Sequence, residues 1–242
     1  LQYFTEVEQL TIACDITRVM LYSQPEWYVT APGEPGYIRV SSKLTKLDVS
    51  RCPKLQELYL ADLWYLKDLK LGGKKTLKTL WLDNVVYKEL SISGFSKLEE
   101  IQLMDCKIDA LKTDKCPAIV FLDCRNCQLK RLDISASGTP EAICCSNNQL
   151  QTLNLKGRRN LIALWCDNNK LKKLDVTNCP RLNNLDCSNN KLKKLIIYGL
   201  RSIQISVYID ISRPICPEFF LGFIRIKSAG IHIVKAVLRF KI

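Results

Sequence analysis

The chain has few of the residues that enzymes and membrane proteins rely on. It has 242 residues and a single histidine, His232. No window holds about 18 uninterrupted apolar residues, so no transmembrane segment is predicted. The sequence shows no Ser/His/Asp set, no paired carboxylates and no glycine-rich phosphate loop. We therefore predict a protein that is not an enzyme and that needs no cofactor.

Composition and charge leave several partners open. The hydrophobic share of 47% is enough for one good core, and the charged share of 25% is ordinary for a folded domain. The net charge of +12 permits attraction to nucleic acid, acidic glycans or anionic lipid. No recognised nucleic-acid motif accompanies the basic residues, so a nucleic-acid partner is not expected.

A repeat of 21 residues organises most of the chain. Three kinds of residue recur at intervals of 21: cysteine (Cys124, Cys145, Cys166, Cys187), leucine (Leu129, Leu150, Leu171, Leu192) and asparagine (Asn148, Asn169, Asn190). Units start at Leu77, Leu98, Ile119, Pro140 and Leu161, and one inserted residue places the preceding start at Leu55. With a degenerate first unit over 34–54 and a fading last one near Ile203, about eight turns are expected.

Each unit contains two short stretches with the alternation of a strand. In L-x-x-L-x-C, positions 4 and 6 point inward, and the asparagine at position 9 ends the strand. Its amide is expected to hydrogen-bond the turn backbone and to stack on the next asparagine. Val85, Cys106 and Cys127 occupy that position in the middle units, so we expect an interrupted ladder there. The second stretch, such as Leu174–Val176, predicts a strand on the convex side, because the arm is too short for a helix.

The pattern L-x-x-L-x-C-x-x-N-x-L-x-x-L-D-V-[ST] resembles the cysteine-bearing leucine-rich repeats of bacterial surface proteins, similar to those of some internalins. The resemblance covers roughly residues 38–205. It implies a β-rich solenoid with short parallel strands on the concave and convex sides, little helix, and β caps at both ends. It also implies a protein at the bacterial cell surface or secreted. It does not identify a ligand, because such scaffolds carry many partners.

The ends of the chain are expected to cover the apolar edges of the first and last turns. We divide the chain into an N-terminal β cap over 1–36, repeats over 37–205, and a C-terminal β cap over 206–242. In the last segment a hairpin is predicted around Ser228-Ala229-Gly230. An alternative is that 206–242 form a small β module that docks a partner.

The cysteines are predicted to be structural. Cys124 and its three equivalents replace inward leucines, which favours a stack of small buried hydrophobic side chains. A zinc site would need paired C-x-x-C motifs or histidine, and only Cys124 with Cys127 fits half of that pattern, so no metal is expected. Cys106 and Cys127 lie in neighbouring turns at a distance that a disulfide accepts, which leaves their bonding open. Cys144 is expected to be the most exposed thiol.

Positions 3, 5 and 7 of each unit are expected to line the concave sheet face. Large aromatic side chains there have no packing role, and interfaces are enriched in Trp, Tyr and Arg. Stacked aromatics beside carboxylates would suit a protein or a sugar ring. The alternative is that Trp and Tyr are simply good strand residues. The candidate binding residues are Tyr59, Trp81, Asp83, Phe121, Asp123, Arg125, Trp165, Asp167 and Asp186.

A second surface is basic. Positions 10, 12 and 13 contribute a predicted stripe along one edge and the convex side: Lys130, Arg131, Lys170, Lys172, Lys173, Lys191, Lys193 and Lys194. Two functions remain open at this stage. The first is a recognition module that binds a protein or glycan through the concave face. The second is a spacer of a cell-envelope protein, whose lysine stripe attaches to anionic surfaces; a solvated surface is the simplest reading of the stripe.

Overall fold

The computed structural model describes residues 2–4, 8–12, 18–23, 37–40, 43–134, 138–197, 204–206 and 237–239. The strands of its first half are β1 (Gln2–Phe4), β2 (Gln9–Thr11), β3 (Arg18–Tyr22), β4 (Tyr37–Val40), β5 (Lys46–Asp48), β6 (Glu57–Ala61), β7 (Asp68–Lys70), β8 (Thr79–Asp83), β9 (Val86–Ser93) and β10 (Glu100–Met104). Those of the second half are β11 (Lys107–Asp114), β12 (Phe121–Asp123), β13 (Arg131–Asp133), β14 (Ala142–Cys144), β15 (Ala163–Trp165), β16 (Lys173–Asp175), β17 (Asn184–Asp186), β18 (Lys194–Ile196), β19 (Gln204–Ser206) and β20 (Val237–Arg239).

One long parallel sheet forms the first side of the molecule. Its 11 described strands follow the order β1-β4-β3-β6-β8-β10-β12-β14-β15-β17-β19. Glu57 pairs with Thr79, which confirms the inserted residue, and the next pairings follow the 21-residue step from Thr79 to Glu100 and Phe121. The described residues contain no helix, so the prediction of a β-rich solenoid with parallel strands is confirmed.

The solenoid has about seven coils, where the repeat pattern predicts about eight. The difference lies in the outermost units, where the pairing departs from the regular step. β4, the strand of the degenerate first unit, pairs with β1 and β3 rather than with β6. At the other end, Asn184 pairs with Gln204, a step that is one residue short.

In the part of the chain that the structure describes, the opposite side carries three three-stranded sheets, in the orders β2-β5-β7, β13-β11-β9 and β16-β18-β20. These strands confirm the prediction of a convex-side strand rather than a helix in the described units, except the one that starts at Pro140, where residues 151–155 form neither. All their pairings are parallel except that of β18 with β20, which is antiparallel. The short β16 and β18 contrast with β9 and β11, which are eight residues long.

The core lies between the two sides and is built by the inward positions of the repeat. Leucines such as Leu58, Leu80 and Leu164 are completely buried. The cysteine column at position 6 (Cys124, Cys145, Cys166, Cys187) is at most 1% exposed and continues the column of Leu60, Leu82 and Leu103. Burial raises the pKa of each thiol in the column, to about 12 for Cys187. The interpretation of these cysteines as buried hydrophobic side chains is therefore confirmed.

The asparagines at position 9 bond to backbone in three successive coils. The Nδ2 of Asn148, Asn169 and Asn190 donates to the carbonyls of Cys124, Cys145 and Cys166, at 2.8, 2.9 and 2.9 Å. Their Oδ1 atoms accept from the backbone N–H groups of Leu129, Leu150 and Leu171, at 2.8, 2.9 and 2.9 Å. The side chains thus satisfy buried backbone groups at the end of each strand, as the sequence predicts.

The asparagine ladder is interrupted in the middle coils, as predicted, but thiols take over part of its role. In the middle coils the thiols of Cys106 and Cys127 donate to the carbonyls of Leu82 and Leu103, at 3.4 and 3.2 Å, in the same relation as the asparagine amides. A thiol has no strong acceptor to offer the neighbouring N–H groups. Backbone pairing replaces it: the N–H of Lys107 bonds to Val85 and that of Ile108 to Cys127. This pairing extends β9 and β11 to eight residues.

The ten described cysteines are all free and buried, so Cys106 and Cys127 are not joined. Cys14 and Cys216, the hairpin at 228–230, and most of the two predicted caps lie outside the described residues. The domain boundaries at 36/37 and 205/206 therefore remain predictions. Within the part of the chain that the structure describes, no helix is long and apolar enough to cross a membrane.

Candidate functional site: the outer face of the long sheet

The candidate binding residues lie on the outer face of β6, β8, β10, β12, β14, β15 and β17, or directly beyond these strands. We call this surface the sheet face. It consists of positions 3, 5 and 7 of seven successive coils, and the pleat turns these side chains away from the core. The burial pattern of β6, β8 and β10 supports this assignment, because half-buried and buried residues alternate along each strand. The sequence thus located the face correctly.

Tyr59 and Trp81 form an aromatic pair on neighbouring strands. Their ring centroids are 5.4 Å apart and the ring planes are inclined by 58°. The Tyr59 hydroxyl donates to Glu57 at 3.1 Å, and Arg18 of β3 donates to the same carboxylate oxygen at 2.6 Å. The bond from Arg18 is the main reason that the pKa of Glu57 is lowered. The pair is half-buried, so part of each ring is open to a ligand.

Asp123 and Arg125 form an ion pair at the centre of the face. Arg125 Nη2 lies 2.6 Å from Asp123 Oδ2, and Arg125 Nε contacts both carboxylate oxygens at 2.9 and 3.0 Å. The Asp123 side chain is 3% exposed and the Arg125 side chain is 50% exposed. Asp123 is therefore engaged inside the protein, and Arg125 is the member of the pair that a ligand would meet.

Cys144 is the most exposed of the ten described thiols, as predicted, but at 8% exposure it is still buried and not open to solvent. It does lie on the outer side of the sheet, paired with Asp123 and Trp165 on the strands beside it. Its side chain is short, and longer neighbours on both sides cover it. Burial is the main cause that raises its pKa to about 12, and the nearby Asp123 adds to this effect. The thiol is consequently a poor nucleophile at neutral pH.

The C-terminal half of the face is built mostly from small side chains around one tryptophan. Trp165 is 38% exposed, next to the buried Ala163 and Cys144. Asp167 accepts hydrogen bonds from Ser146 and from Asn168, the latter at 2.6 Å. Trp165 therefore stands above its immediate surroundings and is open to contact.

The candidate residues do not form one cluster. Tyr59 and Trp81 are in contact, and Phe121 is a half-buried residue on β12. Trp81 and Trp165 occupy the same position four strands apart, which is about 19 Å at the usual strand spacing. Asp83 ends β8, while Asp186 ends β17 and accepts from the Ser188 hydroxyl at 2.7 Å. The face is an extended surface with two aromatic sites rather than a single pocket.

The basic residues divide into two groups. Lys130 and Arg131 lie in one coil, and the exposed lysines Lys170, Lys172, Lys173, Lys191 and Lys193, with the half-buried Lys194, lie in two later coils. Between them is a coil with Gln149, Gln151 and Thr152 at the same positions. Lys173 pairs directly with Lys194 across β16 and β18. Lys130 forms an ion pair with Asp109 at 3.0 Å.

Sequence reasoning missed a second polar ladder at position 8. These residues all have a positive φ between 50° and 57°: Asp62, Asn84, Asp105, Asn126, Asn147, Asn168 and Asn189. Asn and Asp tolerate this left-handed conformation better than other non-glycine residues. Side chains of adjacent coils bond along this edge: Asn84 donates to Asp62 at 2.8 Å and Asn126 donates to Asp105 at 3.0 Å. The signal was in the sequence, because every regular unit has Asn or Asp there.

The described residues contain no group of three or more His, Cys, Asp or Glu side chains arranged to hold a metal ion. A shallow cleft of about 150 Å³ lies where the sheet face meets the position-8 edge, lined by Met104, Asp105, Arg125, Asn126 and Asn147. The surface can offer aromatic faces, carboxylates and amide groups to a partner. These groups suit recognition by contact and hydrogen bonding.

The coil length, the parallel strands and the inward cysteines define the class of the protein as a parallel β-solenoid with a buried cysteine column. Among solved structures, the chain is similar to the functional domain of InlJ from Listeria monocytogenes, which includes a cysteine ladder. The TM-score is 0.40 and the identity 17%, over 62% of this chain. The match spans about half of that protein's chain, at 50%. No protein-family model and no curated protein sequence matches the chain.

Proposed function

We propose that the protein is a non-catalytic recognition module that binds a protein or glycan through the sheet face. The observation that supports this most directly is Trp165, a large aromatic side chain that is 38% exposed among small neighbours. Exposure of a tryptophan on a rigid sheet has no benefit for folding, and aromatic side chains dominate the binding energy of many interfaces. We also propose that the protein acts at a bacterial cell surface or is secreted, as the repeat resemblance implies.

The test is a binding screen followed by a matched pair of variants. The protein is screened against arrayed glycans and extracellular proteins at low and physiological salt. A hit is then measured with Trp165→Ala and with Trp64→Ala. Trp64 is the control because it is 36% exposed but lies beyond the end of β6, off the sheet face. We expect Trp165→Ala to weaken binding by about 2 kcal/mol and Trp64→Ala to leave it nearly unchanged.

Two other outcomes of this test would argue against binding through the sheet face. Equal effects of the two tryptophan variants would contradict the use of the sheet face. Hits confined to sulfated or anionic targets at low salt would favour the alternative, a spacer that attaches through its lysine groups. The pairing of Lys173 with Lys194 is the feature that favours this alternative, since it places two cations side by side.

A further inference from the structure

The sheet face has a charge opposite to that of the whole chain. The chain carries 36 basic and 24 acidic residues. Over the seven regular coils, positions 3, 5 and 7 include one arginine, Arg125, and no lysine. The same positions include six carboxylates: Glu57, Asp83, Glu100, Asp123, Asp167 and Asp186. A basic protein thus presents an acidic surface around Tyr59, Trp81, Phe121 and Trp165.

Internal ion pairs neutralise only part of this charge. Glu57 is paired with Arg18 and Asp123 with Arg125. Glu100 accepts a hydrogen bond from the neutral side chain of Gln102. Asp167 and Asp186 likewise accept from neutral serine and asparagine groups. Among the described residues, no cationic side chain forms an ion pair with these three carboxylates, which occupy outward positions of the sheet face.

The aromatic pair lies within this acidic surface. Glu57 and Glu100 occupy position 3 of the two coils that flank the coil of Trp81. Asp83 follows Trp81 on the same strand, β8. The face of an aromatic ring attracts a lysine or arginine cation, and a nearby carboxylate adds to this attraction. The bordering position-8 edge also lacks lysine and arginine, and it adds Asp62 and Asp105. The whole N-terminal half of the face is therefore suited to cationic side chains.

We infer that the partner bound by the sheet face is a protein segment rich in lysine and arginine. This inference rests on the proposed function and specifies its ligand. A sulfated or sialylated glycan would be repelled by the same carboxylates. A second copy of this chain is disfavoured as the occupant, since two molecules that each carry a net charge of +12 repel one another. A basic segment of a different protein gains electrostatic attraction and a faster encounter rate.

The test uses a fluorescently labelled peptide of alternating lysine and serine, with a peptide of alternating glutamate and serine as the ligand control. Anisotropy is measured at physiological ionic strength with the whole chain. The double variant Glu100→Gln/Asp83→Asn removes two negative charges from the face. The matched double variant Glu89→Gln/Asp109→Asn removes two from β9 and β11 on the opposite side. Both variants have the same net charge, so only the location differs.

We expect the lysine peptide to bind, and the face variant to weaken that binding about fivefold while the matched variant changes it less than twofold. Gln102→Lys places a cation next to Trp81 without removing a carboxylate, and it should weaken binding of the lysine peptide to a similar extent. Gln151→Lys, which adds the same charge off the sheet face, is its control. A lysine peptide that does not bind, or that loses affinity equally in both double variants, would overturn the inference. Self-association that the face variant abolishes would identify a second copy as the occupant and also overturn it.

The two proposals fail in distinguishable ways. A glycan ligand that loses affinity in Trp165→Ala, but not in Glu100→Gln/Asp83→Asn, would leave the sheet face as the binding surface and refute the cationic partner. Failure of both tryptophan and charge variants to affect any ligand would refute the binding surface itself.

Discussion

Replacement of Asn169 by alanine should destabilise the protein by about 3 kcal/mol. The Asn169 Oδ1 atom is the acceptor for the backbone N–H of Leu150, which is completely buried, at 2.9 Å. Loss of that acceptor leaves a buried N–H without a partner, which costs about 1–3 kcal/mol. The Nδ2 group also donates to the carbonyls of Cys145, Cys166 and Asp167.

The three carbonyls contribute less than the N–H group, because each retains another donor. Cys145 keeps the amide of Asn148, Cys166 keeps that of Asn190, and Asp167 keeps the N–H of Asn147. Their weakened bonds together add about 1 kcal/mol. Asn169→Cys should recover part of the loss, since a thiol at this position donates to the equivalent carbonyl in the coil of Cys127.

The assay is urea unfolding followed by circular dichroism, with hydrogen exchange of the Leu150 amide as a local measurement. Asn160→Ala is the control, because the Asn160 side chain makes an exposed hydrogen bond to Thr139 at 3.1 Å and should cost no more than about 0.5 kcal/mol. The reasoning is refuted if Asn169→Ala costs less than about 1 kcal/mol, or if Leu150 exchange is no faster in it than in the control variant.

Three further predictions follow from local geometry. A Cβ at Gly138 would lie 2.2 Å from the carbonyl oxygen of Pro117, so Gly138→Ala should strongly lower the urea midpoint of unfolding. The control Gly157→Ala adds only backbone strain at φ +79 and should cost about 1 kcal/mol of stability. Similar losses of stability in the two variants would contradict the predicted clash at Gly138. The lowered pKa of Glu57 gives stability that is present at neutral pH and lost as acid protonates the carboxylate; Arg18→Gln should therefore show a smaller drop in urea midpoint between neutral pH and pH about 3 than the wild type. Cys144 should resist alkylation at neutral pH until the chain unfolds, and fast labelling of its peptide in the native protein, measured by mass spectrometry, would show that its burial is not maintained in solution.

Repeat periodicity predicted the architecture because each coil repeats the same inward pattern. The 21-residue step, the inserted residue before Leu77 and the buried cysteine column all follow from residue spacing. The end coils were harder, since the order of β3 and β4 depends on pairing between distant segments that no local pattern encodes. The extra length of β9 and β11 was also missed. It arises because Cys106 and the equivalent residues of the middle coils have no strong side-chain acceptor, so backbone pairing takes its place.

The outward direction of the candidate side chains was predicted from the sequence, but their contacts were not. Alternation along the strands identifies which side chains point outward. It does not show that the Asp123 carboxylate forms an ion pair with Arg125, or that longer neighbouring side chains bury Cys144. The ion pair depends on the side-chain conformations of two residues in one coil, and the burial of Cys144 depends on neighbours in the adjacent coils; alternation along a strand encodes neither.

The direction of the hydrogen bonds between coils has a mechanical consequence. Both the strand pairing and the asparagine amides join one coil to the next, so these bonds lie along the length of the solenoid rather than across it. A pulling force applied between the two ends would load a single junction at a time, and the coils would come away one after another. Each release would free one repeat, about 70 Å of extended chain, so the protein would lengthen in small steps under load rather than in one event.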